Sequence, residues 1–180
     1  MGKKIVVITG SPRKGGNSFA LTEAFVERLK AKGHSVIRFD AAFKQVRACN
    51  ACGKCYENGK ACVFDDDFNA LAPEIESADA VVFTTPLYWF TFSAQIKAVI
   101  DRFYAFSHTG REIGGKESAL IACCGGDISV MDGLAVSYGS MVDYLKWISL
   151  GMALIPDIND PGEVHKTDGI DQVLKLAEKF

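Results

Sequence analysis

A short apolar run, Ile5-Val6-Val7-Ile8, opens into a glycine-bounded loop and then a helix-forming stretch, and this sequence of events constrains the fold most. A β-branched run that does not alternate with polar residues fits a strand covered on both faces, as in a parallel sheet. The loop occupies residues 10–16. Asn17 or Ser18 then caps a helix that ends near residue 32, before Gly33, with Leu21, Ala24, Phe25 and Leu29 at helical spacing. The pattern repeats along the chain. Strands are expected over 3–9, 35–39, 79–85, 118–123 and 153–155, and further helices over 67–77, 93–106, 134–150 and 169–180. Alternating strands and helices imply an α/β class with right-handed crossovers. A chain of 180 residues, 48% of them hydrophobic, can bury one full core, so one domain over 1–180 is expected.

Five strands at this spacing suit a doubly wound parallel sheet of flavodoxin-like order 2-1-3-4-5. One connection is too long for that plan. Between the second and third strands only a helix is required, yet the chain carries an additional segment, about 40–66. Irregular insertions of this size in a compact domain are usually functional or disordered. This one holds Cys49, Cys52, Cys55 and Cys62, spaced C-x2-C-x2-C-x6-C, with glycines between them. Two-residue spacers let successive thiolates wrap one centre without long loop closure, and three such thiolates with a nearby fourth suit a [4Fe–4S] cluster. Lys44, Arg47, Lys54 and Lys60 would offset the cluster's net negative charge. A structural zinc and free or redox-sensing thiols are the other readings, although zinc ligands usually come as two separated arms.

Charge and hydropathy exclude several classes. A net charge of −2 draws the chain neither to nucleic acid nor to anionic lipid. No apolar stretch approaches membrane-spanning length, and the run at Ile5 is too short for a signal peptide. Val6 defeats a myristoylation motif at Met1-Gly2. A cytosolic protein is expected, in which six cysteines argue for metal, catalysis or buried thiols before disulfides.

In a doubly wound sheet ligands bind beyond the carboxyl ends of the strands. The loop Gly10-Ser11-Pro12-Arg13-Lys14-Gly15-Gly16-Asn17-Ser18 leads into a helix N-terminus, a ready anion site. It lacks G-x-G-x-x-G, and it lacks the lysine and hydroxyl of a nucleoside-triphosphate loop. Ser11, Asn17 and Ser18 as hydrogen-bonding groups, Gly16 and the Arg13 charge suit a terminal monophosphate held without metal, as on FMN. After the third strand, Pro86, Leu87, Tyr88, Trp89 and Phe90 put much aromatic area in a surface loop, where it could flank a flat ring system or a second subunit. After the fourth, Gly125 and Gly126 permit close backbone approach to a ligand.

The loop at Gly10 together with Thr-Pro-Leu-Tyr-Trp-Phe-Thr-Phe-Ser-Ala-Gln-Ile-Lys-Ala-Val-Ile-Asp-Arg resembles the NADPH-dependent FMN reductase family over about residues 3–155, and the four-cysteine run is similar to its iron–sulfur flavoproteins. The resemblance implies that Ser11, Arg13, Asn17 and Ser18 hold the FMN phosphate, and that residues 86–90 with Gly125 and Gly126 hold the ribityl and isoalloxazine parts. It also implies homodimers or homotetramers with the helix from Ser93 near the interface, and a cluster close to flavin, often across a subunit boundary.

Cys123 and Cys124 read as small buried residues on opposite faces of a strand end. Asp65-Asp66-Asp67 reads as a helix cap, and His34, His108 and His165 carry no acid–base role. The leading expectation is an FMN-dependent oxidoreductase with a [4Fe–4S] cluster, whose donor is NAD(P)H or ferredoxin. The rivals are a cluster-free NAD(P)H-dependent reductase of quinones, nitro compounds or flavin, and an electron carrier reduced by ferredoxin.

Overall fold

The computed structural model describes residues 2–180. Five parallel strands, β1 (Lys4–Thr9), β2 (Ser35–Asp40), β3 (Ala80–Pro86), β4 (Glu117–Cys123) and β5 (Ile148–Ile155), form one sheet in the order β2-β1-β3-β4-β5. This is the flavodoxin-like arrangement expected from the pattern. The helices are α1 (Asn17–Ala31), α2 (Phe68–Ser77), α3 (Ala94–Asp101), α4 (Tyr104–His108), α5 (Asp132–Tyr144) and α6 (Gly169–Ala177).

The apolar runs are buried on both faces because helices cover both faces. Along β1 the side chains alternate: Val6 and Ile8 enter one core with α2, α3 and α5, and Ile5 and Val7 enter the other with α1 and α6. All four are fully buried, which is worth about 1.5–3 kcal/mol each in apolar transfer. Phe83 on β3 centres the first core. It stacks on Trp147 at a centroid distance of 6.3 Å and meets Phe92 and Tyr138 edge-on. Cys123 and Cys124 fall into opposite cores, as the strand period requires.

Helix α6 stops at Ala177, three residues short of expectation, and three other features differ as well. The helix expected to run to residue 150 ends at Tyr144, and residues 148–150 belong to β5. The stop is Lys146 in the left-handed region (φ 55°), with the Trp147 amide donating back to the Val142 carbonyl at 2.9 Å. Glycine or asparagine usually marks such a cap, so lysine leaves no signal. The helix expected over 93–106 is two short helices, joined by tighter turns in which the Arg102 and Phe103 amides donate to Val99 and Ile100. Finally, α1 is capped neither by Asn17 nor by Ser18, because Gly16 takes the cap position and its neighbours' side chains turn elsewhere.

Candidate functional site

The strands end level with one another, with Thr9 beside Thr84 and Pro86 beside Cys123. Beyond them lies a cleft of about 190 Å³. Gly10 brings its first wall close. The Gly10 amide donates to Thr84, Ser93 Oγ donates to the Gly10 carbonyl at 2.9 Å, and a Cβ on Gly10 would sit 2.3 Å from that oxygen. The chain then turns, with Ser11 Oγ accepting the Arg13 amide, and enters α1. Among the described residues the Asn17 amide has no acceptor, α1 has no acid in its first turn, and no acidic side chain lines the cleft. A free amide, a helix dipole, the Ser11 hydroxyl and an exposed Arg13 suit a phosphate dianion.

The other walls come from the ends of β3 and β4. Pro86, Leu87 and Tyr88 line the cleft, followed by Cys123, Cys124 and Gly125. Tyr88 and Thr91 exchange backbone hydrogen bonds around a two-residue turn. Its tip residues, Trp89 and Phe90, have φ of 47° and 64°, a conformation that costs a bulky residue about 1–2 kcal/mol. They are 91% and 59% exposed, so they flank the cleft and do not line it. Gly126 also stays outside. Its carbonyl accepts the Cys124 thiol at 3.2 Å and the Asp157 amide at 2.9 Å.

Sequence reasoning missed a fourth wall, Ile158, Asn159 and Pro161 after β5. Asn17 pins it. Asn17 Nδ2 donates to the Asp160 carbonyl at 2.9 Å, and its Oδ1 accepts the Gly162 and Val164 amides at 3.0 and 3.3 Å. Only the backbone amide of Asn17 is left for a ligand. The turn-rich Pro-Asp-Ile-Asn-Asp-Pro-Gly after a strand end was the available signal. Ser18 Oγ similarly lies 3.1 Å from Cys123 Sγ, and burial pushes that thiol's pKa up.

The four clustered cysteines occupy a separate place. Residues 44–67 contain no helix or strand, and left-handed backbone at Ala51, Gly53, Tyr56 and Gly59 coils the segment back on itself. Cys49, Cys52, Cys55 and Cys62 thereby line one pocket together with Phe64, Arg102 and Tyr104. Burial, and then the neighbouring Cys62, Cys49 and Cys52, raise the Cys55 pKa. Among the described residues no three metal-ligating side chains meet closely enough to hold one metal ion. The thiols surround a space instead. Four thiols with no histidine or carboxylate beside them in the lining is chemistry suited to a thiolate-bound cluster.

The loop is tied down on several sides. His108 Nε2 lies 3.0 Å from the Gly53 carbonyl and its Nδ1 3.1 Å from the Tyr104 hydroxyl. Asn69 accepts the Cys62 amide and donates to the Phe64 carbonyl. The acidic run is not a simple helix cap. Asp67 Oδ2 accepts the Gln45 amide, and Asp66 joins Arg102, Arg47 and the Phe68 amide. Arg102 was not anticipated as part of this pocket, because its place at a helix end says nothing about where a distant loop folds.

Fold and cleft together define a flavodoxin-like α/β protein with an anion-ready cleft beyond the carboxyl ends of its strands. The sequence profile of the NADPH-dependent FMN reductase family matches residues 3–157, and the chain belongs to that family. Among curated proteins it is 36% identical to an iron–sulfur flavoprotein of Archaeoglobus fulgidus over 58% of this chain and 47% of the relative. It is 35% identical to an iron–sulfur flavoprotein of Methanosarcina thermophila over 55% and 51%. The chain thus spans about half the length of these two relatives. A third, the putative NAD(P)H-dependent FMN-containing oxidoreductase YwqN of Bacillus subtilis, is 25% identical over 98% of this chain and 96% of its own. Two solved structures share the fold. NAD(P)H:quinone oxidoreductase from Methanothermobacter marburgensis superposes with TM-score 0.79 at 16% identity over 98% of this chain and 95% of that one. An azoreductase from Bacillus anthracis superposes with TM-score 0.76 at 22% identity over the whole of both. No helix among the described residues is long and apolar enough to cross a membrane.

Proposed function

We propose that this protein is an FMN-dependent oxidoreductase that carries a [4Fe–4S] cluster on Cys49, Cys52, Cys55 and Cys62. The observation that supports it most is the gathering of all four cysteines of one irregular loop around one pocket, with no histidine or carboxylate in its walls. A second pocket, at the strand ends, shares no residue with it and is furnished for a phosphate. When bound, the flavin supplies two-electron and one-electron chemistry and the cluster one-electron chemistry. The protein's part is placement. The Ser11 hydroxyl, the Asn17 amide and the Arg13 guanidinium hold the phosphate. Pro86, Leu87 and Tyr88, with Gly125 opposite, form the slot beside it, and Trp89 and Phe90 screen its mouth. The donor is NAD(P)H or ferredoxin, and the working unit is a homodimer or homotetramer.

The likeness to YwqN across nearly the whole chain, together with the separation of the thiols, favours a second reading: a cluster-free NAD(P)H-dependent reductase. Anaerobic purification distinguishes the two. The proposal expects iron and acid-labile sulfide alongside FMN, with broad visible absorbance beneath the flavin bands that dithionite bleaches. Cys52→Ala is expected to lose the iron and keep the FMN. A flavin spectrum without iron, or iron that survives Cys52→Ala, defeats the cluster assignment.

A further inference from the structure

The ligand set does not account for one wall of the cysteine pocket. Arg102 stands at the end of α3 with its side chain only 2% exposed, and its neighbour Asp66 is 3% exposed. One terminal nitrogen donates to the Arg47 carbonyl at 2.8 Å, and the other faces both Asp66 oxygens at 3.2 and 3.3 Å. The guanidinium lies over the rings of Phe64 and Phe68, at 5.3 and 5.2 Å from their centroids. Its third donor position, Nε–H, is buried with no acceptor. Buried donors almost always have a partner, so an orphan of this kind calls for a missing one. The side chain lines the pocket that the four cysteines also line.

We propose that Arg102 is a positioning residue that sets the potential of the group held by the four cysteines, with Nε–H donating to one of that group's sulfurs. This rests on the cluster reading above. The two outer nitrogens span the root of the loop from Arg47 to Asp66 and fix the guanidinium, which leaves Nε as its one nitrogen without a protein partner. Reduction adds negative charge to a thiolate-bound cluster. A hydrogen bond to its sulfur and a buried cation beside it both raise the reduction potential. Arginine suits the role because its planar fork can be anchored on one side while it donates on the other.

The test compares anaerobically prepared holoprotein with two variants. Arg102→Lys keeps the charge and loses the Nε donor. The double variant Arg102→Gln with Asp66→Asn removes both charges and so leaves no lone buried ion. Iron, FMN and far-UV circular dichroism are measured beside redox titrations of both centres. The expected result is wild-type iron and FMN in both variants, a lowered cluster potential in each, because both lose the Nε donor, and an unmoved flavin potential. An unmoved cluster potential in folded, iron-replete variants overturns the proposal. So does loss of iron from both variants while the remaining iron titrates as in wild type, because Arg102 is then only a staple for the loop. Wild-type protein that takes up no iron overturns the cluster reading itself, before any variant is compared.

Discussion

Asn17 directs all three of its observed side-chain hydrogen bonds at the 160–164 segment, although its position at a helix start suggests a cap or a phosphate ligand. Asn17→Ala leaves two amides and a carbonyl without partners. It is expected to lower unfolding free energy by about 1–3 kcal/mol in urea titrations. It should also weaken FMN binding roughly tenfold by fluorescence titration, the equivalent of about 1.4 kcal/mol. A stability loss with unchanged FMN affinity would mean that the 158–161 wall does not serve the cofactor. Cys123 carries a pH dependence. Burial raises its pKa above 9.0, so the folded protein keeps a proton that the unfolded chain releases. Its contribution to stability is complete below pH 9.0 and is lost as pH rises through the folded value. Denaturation midpoints should therefore fall above pH 9.0 less steeply in Cys123→Ala than in wild type. Parallel curves would show that this thiol does not titrate with folding. The residue types at both positions were legible, but their partners lie 105 or more positions away in sequence.

Elements were legible where the period was unmistakable and illegible where a boundary depended on a cap. The strand β1 and the loop after it were recognisable because four apolar residues, then Thr9 and Gly10, leave few alternatives. The α5–β5 junction was not, since the apolar spacing of residues 134–150 continues in helical phase through a turn made by Lys146. The Gly10 contact is the tightest joint between elements at the cleft, because it brings the end of β1 against the start of α3. Gly10→Ala would place a methyl group 2.3 Å from Ser93 Oγ and close to Ile96. An overpacking penalty of about 1–3 kcal/mol is expected, visible as a lowered calorimetric Tm with FMN content reduced in parallel. An unchanged Tm would show that α3 can shift without cost.

At the scale of the molecule, a groove between α3–α4 and α5 is lined by Ile100, Phe103, Tyr104, Met141 and Tyr144, and Tyr144 is 73% exposed. The proposed homodimer or homotetramer offers a cover for that apolar area. Tyr144→Glu is expected to shift light-scattering mass toward the monomer while Tm changes little, since exposed substitutions usually stay within about 0.5 kcal/mol. Wild-type protein that is monomeric at micromolar concentration removes this prediction. Local pattern determined the fold class, the anion-ready loop and the four-cysteine segment, because each depends on residues adjacent in the chain or repeating with a short period. Tertiary structure decided the fourth wall of the cleft, the partners of Asn17 and Ser18, and the arrival of Arg102 at the cysteine pocket. Those contacts join segments tens of residues apart, and the packing of helices on the sheet brings them together where no local spacing records it.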